Sequence, residues 1–297
     1  MATQQQAIGV AKQKRVGIIT KVRRAGLPWL AVIILFAIIF SAIFAPLLTP
    51  HSPYEVDLPS RLLPPTWQPG GSPEHFLGTD TLVRDLLTRI FYGARVSLIV
   101  ALLVNVIAGG IGLALGIIAG YTKGTFSAII MRVVDSFMAI PNILLALVFA
   151  MTLGPSMRTV IVALSVLLWA RFARLIRGDT LSVTKRDFIL QARVAGCSTP
   201  RIMAIHIFPN VFNTFMVMAS LELGQVILAE ASLSFLGAGI PPPTPSWGQM
   251  VSEGRGYITS AWWISFFPGL TLALTVLAFN MFGDWLRDKL DPRLRQL

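Results

Sequence analysis

Charged residues are so sparse along this chain that the gaps between them define its segments. No Asp, Glu, Lys or Arg occurs in the 30 residues between Arg24 and Glu55, the 27 between Arg95 and Lys123, the 22 between Asp135 and Arg158, or the 28 between Arg255 and Asp284. A charge at the bilayer centre costs about 2.5–3.5 kcal/mol on insertion scales, and a spanning helix uses about 20 apolar residues. Each of these runs therefore predicts one membrane span. The first, Leu27–Leu48, is too long for the apolar core of a cleaved leader, and Ala45-Pro46 is a poor cleavage site. The third run carries Pro141 near its start. A further span is expected from Pro155 to about Leu175, where only Thr159–Ala170 is uncharged, so that Arg171 and Arg174 snorkel to the headgroups. Another runs from Val211 to about Leu236, interrupted by Glu222 and Glu230. The total is six, the last starting near Trp262 with Trp262, Trp263 and Trp285 at its ends, where aromatic belts lie.

The remaining charges are asymmetric. Residues 1–27 hold six basic residues and no acid, residues 171–210 seven against two, and the tail from Arg287 four against two. With six spans these three segments share one side, which the positive-inside rule makes the cytoplasm. Both termini are expected there. The net charge of +11 thus reads as a topology signal with some attraction to anionic lipid, not as a nucleic-acid surface. Only 13% of the residues are charged, against roughly 25% in an average soluble domain. The single cysteine, Cys197, excludes an internal disulfide framework and a multi-cysteine zinc site. The chain divides into a basic segment 1–27, a first span with a Pro-rich extracytoplasmic segment 28–94, a five-span core 95–286 and a tail 287–297. Within the core, the basic loop 176–210 reads as two short amphipathic helices broken at Gly196–Pro200.

No catalytic signature is present. His51, His75 and His206 lie in different segments, and neither a metalloprotease helix motif nor a nucleophile elbow occurs. Gly112, Gly116 and Gly120 lie in an apolar run with no Lys directly after a Gly, which argues against a phosphate loop. Their four-residue step is the small-residue pattern of closely packed membrane helices. Glu222 and Glu230 stand eight residues apart, about 80° around one helix. Acids within a span face a partner or water, so both are candidate pathway residues, with a structural hydrogen bond as the other reading. Asp135 and Asp284 read as anchors paired with Arg132 and Arg287.

The basic loop reads Asp187-Phe-Ile-Leu-Gln-Ala-Arg-Val-Ala-Gly196, then Cys197 to Ile205, then His206-Ile-Phe-Pro209. It resembles the E-A-A coupling loop of ABC importer permeases. The E-A-A start stands here as Leu190-Gln191-Ala192, without the acid, and Gly196, His206 and Pro209 follow in their places. Gly allows a tight turn, and Pro is expected to end the helix before the fifth span. On the residues alone a docking helix and an ordinary solvated loop both fit. Three further stretches resemble the C-type permease of the dipeptide, oligopeptide and nickel importers. They are His75-Phe-Leu-Gly78-Thr79-Asp80 with Arg84-Asp85 and Arg89, Ala229-Glu230 through Gly239 to Trp247-Gly248, and Phe279-Asn280 through Gly283-Asp284 to Asp291-Pro292. In that family a Gly usually stands where Val83 does.

The resemblance implies an all-α polytopic membrane protein of the type I ABC importer permease fold, in the inner membrane. It implies a second, homologous permease subunit, two cytoplasmic ATPase subunits and an extracytoplasmic substrate-binding protein. It also implies that this chain is not itself an enzyme: no catalytic, cofactor or metal site is expected on it, and ATP and Mg belong to the ATPase subunits. Di- or oligopeptides are the implied solute, with nickel chelates, glutathione-like peptides or oligosaccharides as alternatives. An ATP-independent secondary transporter or channel is the reading from another class. It calls for ion-coupling residues or an inverted repeat.

Overall fold

The computed structural model describes residues 27–54, 61–122 and 124–290. Most of the N-terminal basic segment, Lys123, and Asp291-Pro292 of the C-terminal signature lie outside the described residues. Among the described residues the protein is helical, with one isolated bridge between Thr79 and Asp85. The helices are α1 (Trp29–Leu48), α2 (Leu86–Tyr121), α3 (Thr125–Ala139), α4 (Asn142–Leu153), α5 (Met157–Val183), α6 (Asp187–Val194), α7 (Thr199–Phe235), α8 (Trp247–Gly254) and α9 (Trp263–Leu290). Five of them, α1, α2, α5, α7 and α9, are each long and apolar enough to cross a membrane, and the bent pair α3–α4 brings the count to six.

The third span is therefore not one helix. Pro141 has no N–H, and the residue before a proline is pushed out of the helical region. Ile140 is extended at ψ 130°, and α3 and α4 meet at 86°. The second span starts earlier than its charge-free run. α2 begins at Leu86, so the expected division between residues 94 and 95 falls inside it. Its 36 residues are about 54 Å long, well beyond a hydrocarbon core of about 30 Å. The charges it takes in, Arg89 and Arg95, find partners within the protein. Pro46 in α1 leaves the Ala42 carbonyl without its helical donor. Arg95 donates to that carbonyl at 3.0 Å and to the Ile43 carbonyl at 3.1 Å.

α1 buries a narrow stripe, Ala31, Leu35, Ile38, Ala42 and Ala45, and leaves Trp29, Ile33, Phe36 and Leu47 exposed. That division suits a helix with lipid on most of its circumference. α5, the span with the shortest uncharged run, is instead the most internal, with Phe172, Ala173 and Ile176 fully buried. It packs along α2 through the glycine stripe. A Cβ at Gly112 would stand 2.4 Å from Phe172 Cβ and 2.6 Å from the Trp169 carbonyl oxygen. At Gly116 it would stand 2.8 Å from the Ala173 oxygen, and at Gly120 2.5 Å from Thr180 Cβ. Backbone approach this close needs glycine, as the four-residue step predicts.

The α5 arginines do not simply snorkel. Arg174 pairs with Asp135 of α3, and Arg171 Nη1 lies 3.6 Å from Glu222 Oε1 of α7. Asp135 is thus anchored across helices, not to Arg132 on its own helix. Asp284 is exposed and has no ion pair among the described residues.

Candidate transport site and coupling loop

One end of the bundle carries the Pro-rich segment, and the other carries α6. At the proline-rich end, His75, Gly78, Thr79 and Asp80 form a turn that folds onto the start of α2. Asp85 caps that helix, accepting from the Thr88 N–H at 2.8 Å and the Thr88 hydroxyl at 2.7 Å. The Asp80 carboxylate is fully buried. It accepts from the N–H groups of Leu82 and Arg84, from Arg84 Nε at 2.7 Å, and from Arg89 Nη1. Glu253 of α8 joins the same cluster, with Oε2 at 3.0 Å from Arg84 Nη2 and 2.8 Å from Arg89 Nη1. Gln249 donates to its other oxygen at 2.9 Å. Two arginines and two carboxylates thus share one buried network. The indole N–H groups of Trp247 and Trp263 donate to the carbonyls of Ile90 and Thr79. The segment before α2 is thereby fastened to both α8 and α9.

The network explains the signature residues around Asp80, Arg84 and Arg89, to which the sequence assigned no role. Arg89 and Asp80 are close in sequence, but Glu253 is 164 residues from Arg89 and no local pattern announces it. Val83 sits in the turn at φ +67°, where a β-branched residue is strained. A glycine would be at ease there.

The two intramembrane acids have different surroundings. Glu230 is 0% exposed. Its Oε2 accepts from Ser97 of α2 at 3.1 Å and its Oε1 from Ser234 at 2.8 Å. The Ser234 hydroxyl in turn accepts from the Ile240 N–H at 3.2 Å. Glu230 therefore links α2, α7 and the following turn and has no open side. Glu222 lies about 12 Å along the same helix. Its Oε1 faces Arg171, whereas its Oε2 is buried without a hydrogen-bond partner among the described residues.

At the opposite end, α6 buries Ile189 and Ala192 in a small core with Ile117, Ile176, Val183, Ile202, Ile207 and Val211. Arg193 lies over the Tyr121 ring at 5.0 Å. Leu190 and Gln191 face outward, and Val194 is 90% exposed. Leu190 and Val194, four residues apart, share one helix face. The helix closes with the Gly196 N–H on the Arg193 carbonyl at 3.0 Å and the Cys197 N–H on the Ala192 carbonyl at 3.0 Å. Gly196 has φ +77°, the left-handed position that such a C-terminal turn requires.

The second piece of the loop differs from expectation. It is not a separate helix ended by Pro209. Residues Ile202–Ile207 form a π-helical turn, with the Phe208 N–H bonded to the Met203 carbonyl, and the chain continues through Phe208–Phe235. Pro209 falls at the start of the regular helix, where its missing N–H costs least. The wider turn before it lets the helix run on. The Asn210 side chain donates to the His206 carbonyl at 2.8 Å. Of the three histidines, His206 stands here, whereas His51 and His75 come together at the other end with ring centroids 4.9 Å apart.

Comparison with known proteins gives one consistent answer. The family described as "Binding-protein-dependent transport system inner membrane component" matches residues 112–296, and the "N-terminal TM domain of oligopeptide transport permease C" matches residues 20–65. The chain is 46% identical over 259 residues to the dipeptide transport system permease protein DppC of Escherichia coli K12, covering 87% of this chain and 86% of that one. It is 41% identical over 258 residues to the di/tripeptide transport system permease protein DppC of Pseudomonas aeruginosa, covering 87% and 85%. A chain of the MetNI methionine ABC transporter, solved in inward-facing conformations, superimposes with a TM-score of 0.57 at 17% identity, covering 68% of this chain and 96% of that chain. The helical fold with five single spans and a bent sixth is thus that of an ABC importer permease. The protein is a multi-pass membrane protein and belongs to the family of binding-protein-dependent transport system inner membrane components.

Proposed function

We propose that this chain is one of two permease subunits of an ATP-driven importer of di- or oligopeptides, forming half of the translocation pathway. Its relatives are named for dipeptide and di/tripeptide transport, which supports the solute class. The observation that carries the coupling role is α6, seated on its own small core with Leu190 and Val194 turned outward and closed at Gly196. A rigid helix with an unpartnered apolar face suits a groove on a soluble motor. On this reading the end bearing α6 is cytoplasmic, as the charge distribution also has it. Two ATPase subunits, which hold ATP and Mg, dock there on the outward residues Leu190 and Gln191, with Ala192 seating the helix in its core, Gly196 closing it, and His206 and Pro209 at the loop's far end. The proline-rich end faces the binding protein that delivers the solute. The second permease subunit completes the pathway, with Glu222 as its candidate acid on this chain.

Reconstitution in proteoliposomes tests the proposal. Peptide uptake is expected only with ATP, the ATPase subunits and the binding protein together. Gly196→Pro removes the left-handed turn, and should abolish uptake while the permease pair still inserts. Uptake without ATP, or normal ATPase co-purification and uptake with Gly196→Pro, refutes the assignment.

A further inference from the structure

Two of the chain's three histidines meet at the proline-rich end. His51 follows α1 by three residues, and His75 lies on the turn that folds onto α2. His75 is buried and His51 half-buried, and the rings are tilted by 31°. Each ring already has one nitrogen engaged. His51 Nε2 lies 3.1 Å from the Glu74 carbonyl oxygen, which only accepts, so that nitrogen carries the proton. His75 Nδ1 lies 3.0 Å from Asp85 Oδ1, so the proton is on Nδ1 there. In the neutral rings the free lone pairs are then on His51 Nδ1 and His75 Nε2. Metal-binding imidazoles have this pattern, with one nitrogen on the ion and the other N–H held by a backbone carbonyl or a carboxylate. One ligand atom from each of His51, His75 and Asp85 lies within 4.8 Å of the other two, which brings both imidazoles and the carboxylate into one compact group.

We propose that His51 and His75, oriented by the Glu74 carbonyl and by Asp85, hold a divalent transition-metal ion of the zinc class, clasping the end of α1 to the N-terminus of α2. Imidazole nitrogens select Zn2+, Ni2+ or Cu2+ over Mg2+ and Ca2+, which take oxygen ligands. The Asp85 carboxylate holds His75 and offsets part of the ion's charge, and water completes the coordination. The clasp adds to the direct contacts of α2 with α1, where Arg95 donates to the Ala42 and Ile43 carbonyls. It lies apart from Glu222 and from α6, so it is a fastening of the fold and not a station on the solute's path.

The test is zinc binding by equilibrium dialysis on the assembled transporter, purified without a histidine tag. One Zn2+ per copy of this chain is expected in addition to any bound by the other subunits. His51→Ala, at a half-buried position, should remove that ion or weaken it by more than tenfold, as should His75→Gln. Asp85→Asn should weaken it by about 10–100-fold, the usual effect of losing the group behind a ligating histidine. His206→Ala, at the opposite end, should leave it unchanged, and Mg2+ in excess should not displace it. X-ray absorption at the zinc edge should show imidazole scattering that His51→Ala reduces. Metal-free melting temperatures of wild type and His51→Ala should agree, which separates lost binding from lost folding. Equal zinc stoichiometry and affinity in wild type and His51→Ala, or displacement by Mg2+, overturns the proposal. The readout is binding alone, so its failure is distinct from failure of the transport assignment.

Discussion

Substituting Gly112 by alanine should drive α2 and α5 apart, and the geometry sets the size of the effect. The new Cβ would lie 2.4 Å from Phe172 Cβ, 2.6 Å from the Trp169 oxygen and 2.9 Å from the Ala173 nitrogen. Two of these are backbone atoms and cannot swing aside. Ordinary carbon contacts sit at about 3.5–4.0 Å, so the helices must separate locally by roughly 1 Å. A gap of that size forfeits up to half of each dispersion contact. With on the order of twenty atom pairs at about 0.1–0.2 kcal/mol each, the loss is roughly 1–2 kcal/mol. Overpacked cores cost a similar amount, about 1–3 kcal/mol. Alanine also gains up to about 1 kcal/mol of helix propensity over glycine, which would mask part of the loss. Gly110 supplies the control. It lies on the same helix, has nothing within 4 Å of its Cβ position, and receives the same propensity gain. The difference in apparent melting temperature between the two variants in detergent therefore isolates the steric effect. Gly112→Ala should melt several degrees below Gly110→Ala, at about 2–4 °C per kcal/mol for a chain of this size. Gly109→Ala, which meets side-chain ring atoms of Phe215 at 3.0 Å and Phe172 at 3.7 Å, should fall between them. If Gly112→Ala melts at or above Gly110→Ala, the close packing of α2 on α5 is not what the glycines provide.

Other perturbations read different parts of the molecule. At Val83, glycine should be tolerated better than alanine: left-handed strain of about 1–3 kcal/mol is relieved only by glycine, offsetting the lost burial of the side chain. The order of the two melting temperatures checks this. Arg89→Met removes one partner of a buried network and should cost about 3–5 kcal/mol, seen as a collapse in folded yield. Adding Asp80→Asn to it should recover part of that yield. Glu222→Gln should slow peptide uptake on the order of tenfold, equivalent to about 1.4 kcal/mol in the barrier, while ATPase activity persists. Unchanged uptake by that variant in vesicles would remove Glu222 from the pathway.

Charge-free runs located four of the six spans because hydrocarbon excludes unpaired charge, and that exclusion acts residue by residue; α5 and α7 were placed despite the charges they carry. The same ruler misjudged boundaries wherever a charge was neutralised by the protein instead of by water. Arg89 and Arg95 lie inside α2 because Asp80, Glu253 and two α1 carbonyls accept hydrogen bonds from their guanidinium groups. Arg171 and Arg174 looked like surface residues because their acids, Glu222 and Asp135, are remote in sequence. The bend at Ile140–Pro141 was legible as a proline but not as an 86° break, since prolines inside α1 and α9 leave those helices whole. Glu222 and Glu230 looked equivalent on the helix. Only the fold shows Ser97 of α2 placed against one of them and Arg171 near the other. At α6, Gly196 announced the turn, but the π-helical turn before Pro209 has no local signature.

The network around Asp80 also bears on the order in which the protein is made. Arg84 and Arg89 emerge early in synthesis, yet Glu253, which binds both, comes 169 and 164 residues later. Until α8 arrives, Asp80 is the only acid of the cluster facing two guanidinium groups. The proline-rich end therefore cannot lock when α2 is inserted. Three further spans, α3–α4, α5 and α7, are made before α8 supplies Glu253. A chain truncated before Glu253 would keep a positive surplus beside α2, with two guanidinium groups facing the single carboxylate of Asp80.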